Sequence, residues 1–422
     1  MTTSTCECDD SRRATLSRRR LLATGAAGAF AGLAGAQLDT SLAFAADPAY
    51  AGDVLVLLSL RGGFDGLSAV VPAGDPAYYT ARPTIGVQKS QLIGGDAFFG
   101  LNPAMAPLLP YWTSGKLAAV QAVGQPAPNR SHFSAMEELE RAAPGTSERT
   151  GWLNRMIGTV GSDDAFNAVA MGTARPARVL GGPAPNLSVT TVDALQLTGA
   201  QADRPIAATM SALYDGAPPA LARTAGRLAE ALTRGAQLRA AGYTPANGAA
   251  YPQTDLGAAL RDVARLIKSG VGLRSATVDS GDWDMHENLG PAVAGRRMFD
   301  QLKALSAALA AFAADLGTEG MRRVTLLTIS EFGRRVVQNG SGGLDHGYGN
   351  VMFVLGGNVR GGKVYGRWPG LTTAQLRDGD LAVTTDYRAV IGEILRARCG
   401  VADLAGVFPG ITASGLGIVN AR

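Results

Sequence analysis

The sequence predicts a three-layer α/β sandwich with a mainly parallel central sheet, and three observations carry that expectation. Residues 53–60, DVLVLLSL, form an apolar run with no polar face, which suits a strand buried on both sides. Similar runs recur at 116–124 (KLAAVQAVG), 166–172 (FNAVAMG), 322–330 (RRVTLLTIS) and 350–357 (NVMFVLGG). Between them, 219–241 and 296–316 place Leu, Ala and Phe at three- and four-residue steps, as amphipathic helices do. Buried strands alternating with such helices define the class.

Taken in order, the first 45 residues read as a leader rather than part of the fold. Ser17-Arg18-Arg19-Arg20-Leu21-Leu22 precedes an Ala/Gly-rich apolar stretch, and Ala43-Phe44-Ala45 supplies a small-x-small cleavage site. Paired arginines, a weak apolar segment and that site make a twin-arginine export signal, so the twin-arginine translocase is an expected partner. The apolar stretch is too short and too Gly-rich for a stable membrane span. The expected location is periplasmic or secreted. Cys6 and Cys8 fall in the leader, which leaves Cys399 alone and no internal disulfide after cleavage.

Residues 46–422 carry no Ser/Gly linker, charge block or repeat and read as a single domain. The whole chain has a net charge of +4, and removing the five arginines and four acids of the leader leaves +3. A balance so close to neutral excludes a polybasic nucleic-acid binder, and no nucleic-acid partner is expected. Gly- and Pro-rich stretches at 72–83, 124–130 and 242–257 read as long loops. Loops that follow strands are where such sheets put their ligands.

Only three histidines exist, His132, His286 and His346, so any imidazole chemistry is confined to them. The segment 277–291, TVDSGDWDMHENLGP, sets Asp282 and His286 four apart after a predicted strand, with Asp284 between them. Carboxylate and imidazole together hold divalent metals, although a hydrogen-bonded loop has the same spacing. Glu331 ends the 322–330 strand, and Asp345-His346 lies in a Gly-rich loop before the next. Turn chemistry is the alternative for both. His132 follows Ser131 where a helix begins; Ser131 reads either as an N-cap, with Ser134 a rival, or as a nucleophilic hydroxyl. RGGFDG ends the first strand with Arg61 and Asp65, and an arginine there forks onto an oxyanion. RGGFDG lacks the glycine spacing of a dinucleotide fingerprint.

The phrases RGGFDGL, NRSHF, GDWDMH, TISEFGRR, DHGYGN and TTDYRAVIGEIL together resemble the domain-of-unknown-function 1501 family over nearly all of 46–422. That family is placed with the alkaline phosphatase and sulfatase superfamily, which implies an alkaline phosphatase-like sandwich with a metal site above the sheet. The resemblance implies one complete three-ligand site, Asp282, His286 and His346, for a divalent metal. Zinc is the expected ion, with calcium or manganese as alternatives. A second site is damaged: Arg61 and Glu331 stand where ligands are usual, leaving Asp65 and Glu331 as remnants. Arg61 is expected to replace the missing charge and pair with Glu331, unless Asp65 rescues the site. The usual nucleophile position falls at Pro126, so Ser131 or a metal-activated water is nominated, with His132 apart from the metal, near the substrate.

The resulting expectation is an exported hydrolase of phosphate or sulfate esters, with Ser131, His132 and Arg61 as catalytic residues. The alternative is a non-catalytic binding or assembly protein that keeps the fold.

Overall fold

The computed structural model describes residues 36–38, 53–161, 163–196, 206–412 and 414–422. Of the expected leader only Ala36–Leu38 is described; the paired arginines and the cleavage site lie outside the described residues. The strands are β1 (Ala36–Leu38), β2 (Val54–Leu60), β3 (Val70–Val71), β4 (Gly100–Leu101), β5 (Leu117–Gly124) and β6 (Ala168–Met171). They continue with β7 (Leu187–Val189), β8 (Ser275–Ser280), β9 (Val324–Ile329), β10 (Asn350–Gly356), β11 (Val364–Tyr365) and β12 (Thr385–Asp386). The main sheet runs β1-β7-β6-β8-β2-β9-β10-β5-β11, with β12 also on β5 and β3-β4 forming a separate pair.

Most of this sheet is parallel. β7, β6, β8, β2 and β9 pair side by side in one direction, with Leu58 facing Val278 on one flank and Thr328 on the other. β10 runs antiparallel to both β9 and β5, and β1 is antiparallel to β7. All five apolar runs of the sequence are strands of this sheet.

The period-2 alternation of β2 divides the interior into two cores. Val54, Val56, Leu58 and Leu60 face one side, packed with Leu260 and Val263 of α4 (Asp255–Ser269) and Leu305, Leu309 and Phe312 of α5 (Arg297–Met321). Leu55 and Leu57 face the other, with Trp152 and Met156 of α2 (Trp152–Thr159) and Ile391, Ile394 and Leu395 of α6 (Tyr387–Arg398). All seven residues of β2 are buried. Each fully buried Leu or Val stabilises the fold by roughly 1.5–3 kcal/mol, so a sheet covered on both faces needs strands without a polar side.

The predicted helices form, as α3 (Pro219–Ala241) and α5. Pro219 starts α3, where a missing N–H costs nothing. The helical run of α5 breaks at Gly317, with φ 64° and ψ −175°, which is why the apolar pattern stops at 316. One expected loop is partly helical: Pro76–Ala81 forms a short helix because Asp75 accepts from the Ala77 N–H at 3.1 Å and Pro76 fits the first turn. No helix among the described residues is long and apolar enough to cross a membrane.

Candidate metal centre

The reversed direction of β10 assembles the site. Because β10 is antiparallel to β5 and β9, its amino end lies beside the carboxyl ends of the parallel strands. The loop carrying Asp345 and His346 therefore meets the loops that leave β2, β5, β8 and β9. α1 (His132–Arg141) begins a few residues beyond β5, which brings His132 to the same edge.

Each loop is held there by identifiable contacts. After β8 the chain alternates: Trp283 and Met285 are buried, at 2% exposure each, so Asp284 and His286 face away from the core. Gly62, at φ 112°, lies so close that a Cβ would sit 2.7 Å from the Asp284 backbone nitrogen. The buried Arg334 guanidinium ties the loops together. It donates to the carbonyls of Gly62, Gly63 (2.6 Å), Trp283 (3.2 Å) and Leu344 (2.9 Å), and to Asp284 Oδ1 at 2.5 Å.

The three imidazoles share one arrangement. His346 Nδ1 lies 2.8 Å from the Arg130 carbonyl, His132 Nδ1 2.8 Å from Glu331 Oε1, and His286 Nδ1 3.1 Å from Asp345 Oδ1. The Arg130 carbonyl only accepts, so His346 Nδ1 carries a proton and donates to it, and with Nδ1 against an acceptor each of the three rings turns Nε2 inward. Those Nε2 atoms converge on Asp284. His286 Nε2 is 3.1 Å and His346 Nε2 3.3 Å from Oδ1, while His132 Nε2 is 3.4 Å from Oδ2. His286 Nε2 and His346 Nε2 are 3.1 Å apart, so no more than one of them carries a proton directed at the other. His132 Nε2 is buried without a hydrogen-bond partner. His132, Asp284 and His346 thus form a group able to hold a metal ion, with ligand atoms within 4.8 Å of one another.

The electrostatics suit that role. Burial alone would raise the Asp284 carboxyl, but the hydrogen bond and charge of Arg334, aided by His346 and His286, hold it at about 2. Burial lowers His346, and the nearby Arg334 and His132 add to it against the Arg130 carbonyl, which favours the neutral ring. The Asn339 amide and then His286 lower Asp345. Glu331 is fixed by the Gly62 N–H (2.8 Å) and the Ser330 hydroxyl (3.0 Å) as well as by His132.

Several expected roles change. Asp284, not Asp282, points at the imidazoles; Asp282 has φ 66°, and its backbone turn leaves the carboxylate exposed on the rim. His132 is part of the cluster, its ring centroid 4.3 Å from that of His346. Arg61 does not reach Glu331; it bridges Glu140 at 2.8 Å and Asp279 at 2.7 Å. Burial raises the Glu140 carboxyl in spite of that pairing. Asp65 is taken up by Arg82, which donates at 2.6 and 3.0 Å, so it is no free second-site ligand. Ser131 occupies the N-cap position of α1 without a side-chain capping bond; its N–H donates to Asn129 Oδ1 at 3.0 Å.

A cleft of about 770 Å³ opens beside the cluster and is lined by Arg61, His132, Phe133, Arg175, Arg297 and Glu331, among others. The carbonyl of Arg130 and the guanidinium of Arg334 were not legible as site groups in the sequence. Asp284 was passed over for Asp282, although the alternation of Asp282-Trp283-Asp284-Met285-His286 sets both acids on the side of His286.

Sheet topology and site together define an α/β sandwich protein with a histidine–carboxylate centre at the carboxyl ends of its parallel strands. The chain belongs to the family described as "Protein of unknown function (DUF1501)", whose model matches residues 98–391. Comparison with curated proteins finds no match. Among solved structures, the lipoteichoic acid synthase LtaP from Listeria monocytogenes is similar at 9% identity and a TM-score of 0.31, over 80% of this chain and 75% of that one. The PsFucS1 sulfatase from Pseudoalteromonas sp. is similar at 14% identity and a TM-score of 0.31, over 74% of this chain and 64% of that one. Likenesses this distant carry no chemistry across.

Proposed function

We propose that the protein is an exported hydrolase of phosphate or sulfate esters that works with one divalent metal, held by His132, Asp284 and His346 with His286 beside them. One observation carries this reading: three imidazoles, each with Nδ1 against an acceptor, turn Nε2 toward a single carboxylate. Acceptors behind metal-ligating histidines fix the tautomer and raise ligand basicity, and Glu331, Asp345 and the Arg130 carbonyl stand in those positions. An imidazole-rich donor set favours zinc over calcium, which takes mainly oxygen ligands; manganese fits less well.

When bound, the metal supplies Lewis-acid polarisation of an ester oxygen. The protein's own groups hold and orient. Glu331 fixes the ring of His132, Arg334 fixes Asp284, and Arg61, set between Glu140 and Asp279, contributes a positioned cation to the cleft wall. No hydroxyl contact with the cluster is seen for Ser131, whose side chain makes no capping bond, or for Thr173, which accepts from the Arg175 N–H at 3.0 Å within a turn, and water is the attacking group we assign. Export by the twin-arginine route belongs to this proposal and rests on the leader sequence.

A second reading, a non-catalytic binding protein with the same sandwich, is favoured by the locking of Asp65 to Arg82. Elemental analysis of protein purified without chelators, joined to a panel of phosphate and sulfate esters, separates the two. One metal per chain, lost in His346→Ala together with turnover, is the expected result. A protein free of metal and inert on every ester overturns the hydrolase.

A further inference from the structure

We infer that the cleft beside the metal centre selects esters whose organic part is a flat ring bearing a further anionic substituent. The inference rests on the hydrolase reading for the ester itself; its other elements come from the cleft walls. Two arginines there stand apart from the rest. Arg61 and Arg178 are paired with acids in the cleft, Arg61 at 2.8 Å and Arg178 at 3.6 Å from Glu140. Arg175 and Arg297 line the same cleft, are exposed, and have no acidic side chain within ion-pair distance among the described residues.

Arg297 is also the first residue of the long helix α5, at the positive end of the helix dipole, where a cation is opposed rather than favoured. A guanidinium held against that field and facing a cleft is relieved when an anion arrives. Asp282 shares the rim as an exposed acceptor, which suits a ligand with donor groups as well as negative charge.

The third element is Phe133. It follows His132 directly, lines the cleft, and is 90% exposed, the most exposed large apolar side chain among the described residues. Its helix neighbours explain the placement: Met136 and Glu140, one and two turns further along α1, line the same cleft, so Phe133 stands on the cleft-facing side of the helix. An aromatic face left in water beside a ligand-binding centre offers stacking to a planar group. Metal cluster, aromatic plate and two guanidiniums without an acidic partner, Arg297 donating only to the Asp282 carbonyl at 3.5 Å, thus present, in one cleft, partners for an ester oxyanion, a ring and a second charge.

Three non-hydrolysable probes test each element: methylphosphonate, phenylphosphonate and 4-carboxyphenylphosphonate, titrated calorimetrically into the metal-bearing protein. Phenylphosphonate should bind about tenfold more tightly than methylphosphonate, and Phe133→Ala should remove that gain. The carboxylate should add a further roughly three- to tenfold, removed by Arg175→Ala/Arg297→Ala and weakened by salt. Both variants alter exposed side chains, so metal content and melting temperature should match the wild type. Three probes binding within twofold of one another, no binding by any of them, or preferences that survive in the variants would each overturn the inference. Failure of the hydrolase reading looks different: no ester is turned over, while the ranking of the phosphonates stands.

Discussion

Replacing Asp65 by Ala distinguishes a structural carboxylate from a metal ligand. Arg82 is fully buried and Asp65 nearly so, and the guanidinium donates to both carboxylate oxygens, to Ser68 Oγ at 3.0 Å and to the carbonyls of Val336 and Arg335. Removing the acid leaves a buried cation with no counter-charge, which costs about 3–5 kcal/mol. For about 370 residues at roughly 2.1 cal/mol/K each, the unfolding entropy is near 0.8 kcal/mol/K, so the melting temperature should fall by about 4–6 °C. Calorimetry and metal quantification on the same samples form the assay. Bound metal should stay at the wild-type level. The double variant Asp65→Leu/Arg82→Met, which removes both charges together, should recover most of the lost stability. Loss of metal with the melting temperature unchanged would refute the reasoning and restore Asp65 as a ligand.

Three further outcomes follow from the same contacts. Asp284→Asn should strip the bound metal while Asp282→Asn leaves it in place; the opposite pattern by mass spectrometry of metal content would return the ligand role to Asp282. Glu331→Gln keeps the shape but weakens the acceptor behind His132, and metal affinity should drop about 10- to 100-fold in a competition titration with a chelator. Asp315 is buried and accepts from Tyr243 (2.7 Å), Tyr251 (2.8 Å), the Ala246 N–H (2.7 Å) and Lys268; burial would raise its carboxyl, but these partners outweigh it and lower it. A depressed folded value means its stabilisation is full above the unfolded value near 3.9 and fades as pH falls through the folded one. Asp315→Asn should therefore cost about 2–4 kcal/mol in urea melts at pH 7, and the gap should narrow below about pH 4; a gap constant with pH would contradict the assignment.

Much of the fold was legible. Apolar runs such as DVLVLLSL have no polar side, so only a sheet covered on both faces can take them, and β2 is buried throughout. The helix at 296–316 was readable to its end because a glycine at positive φ stops it. The site was legible as a set of loops and only partly as residues. The structure brings all three histidines together, and the carboxylate among them is Asp284 rather than the expected Asp282. Alternation about the buried Trp283 and Met285 sets Asp282 and Asp284 alike on the side of His286, and the left-handed turn at Asp282, φ 66°, then takes that carboxylate away and leaves Asp284. Glu331 was found, but its partner is an imidazole rather than Arg61, since Glu140 and Asp279 are nearer to that guanidinium.

The sequence by itself determined the class of fold and the short inventory of groups able to do chemistry, because hydrophobic periodicity and the count of imidazoles are local properties of the chain. Only the tertiary structure decided which of those groups meet. β10 runs against its neighbours, so a loop that precedes a strand joins loops that follow strands, and His346 meets His132, 214 positions away in the chain. Strand direction is set by how the whole sheet pairs and packs, and no window of residues around His346 contains it.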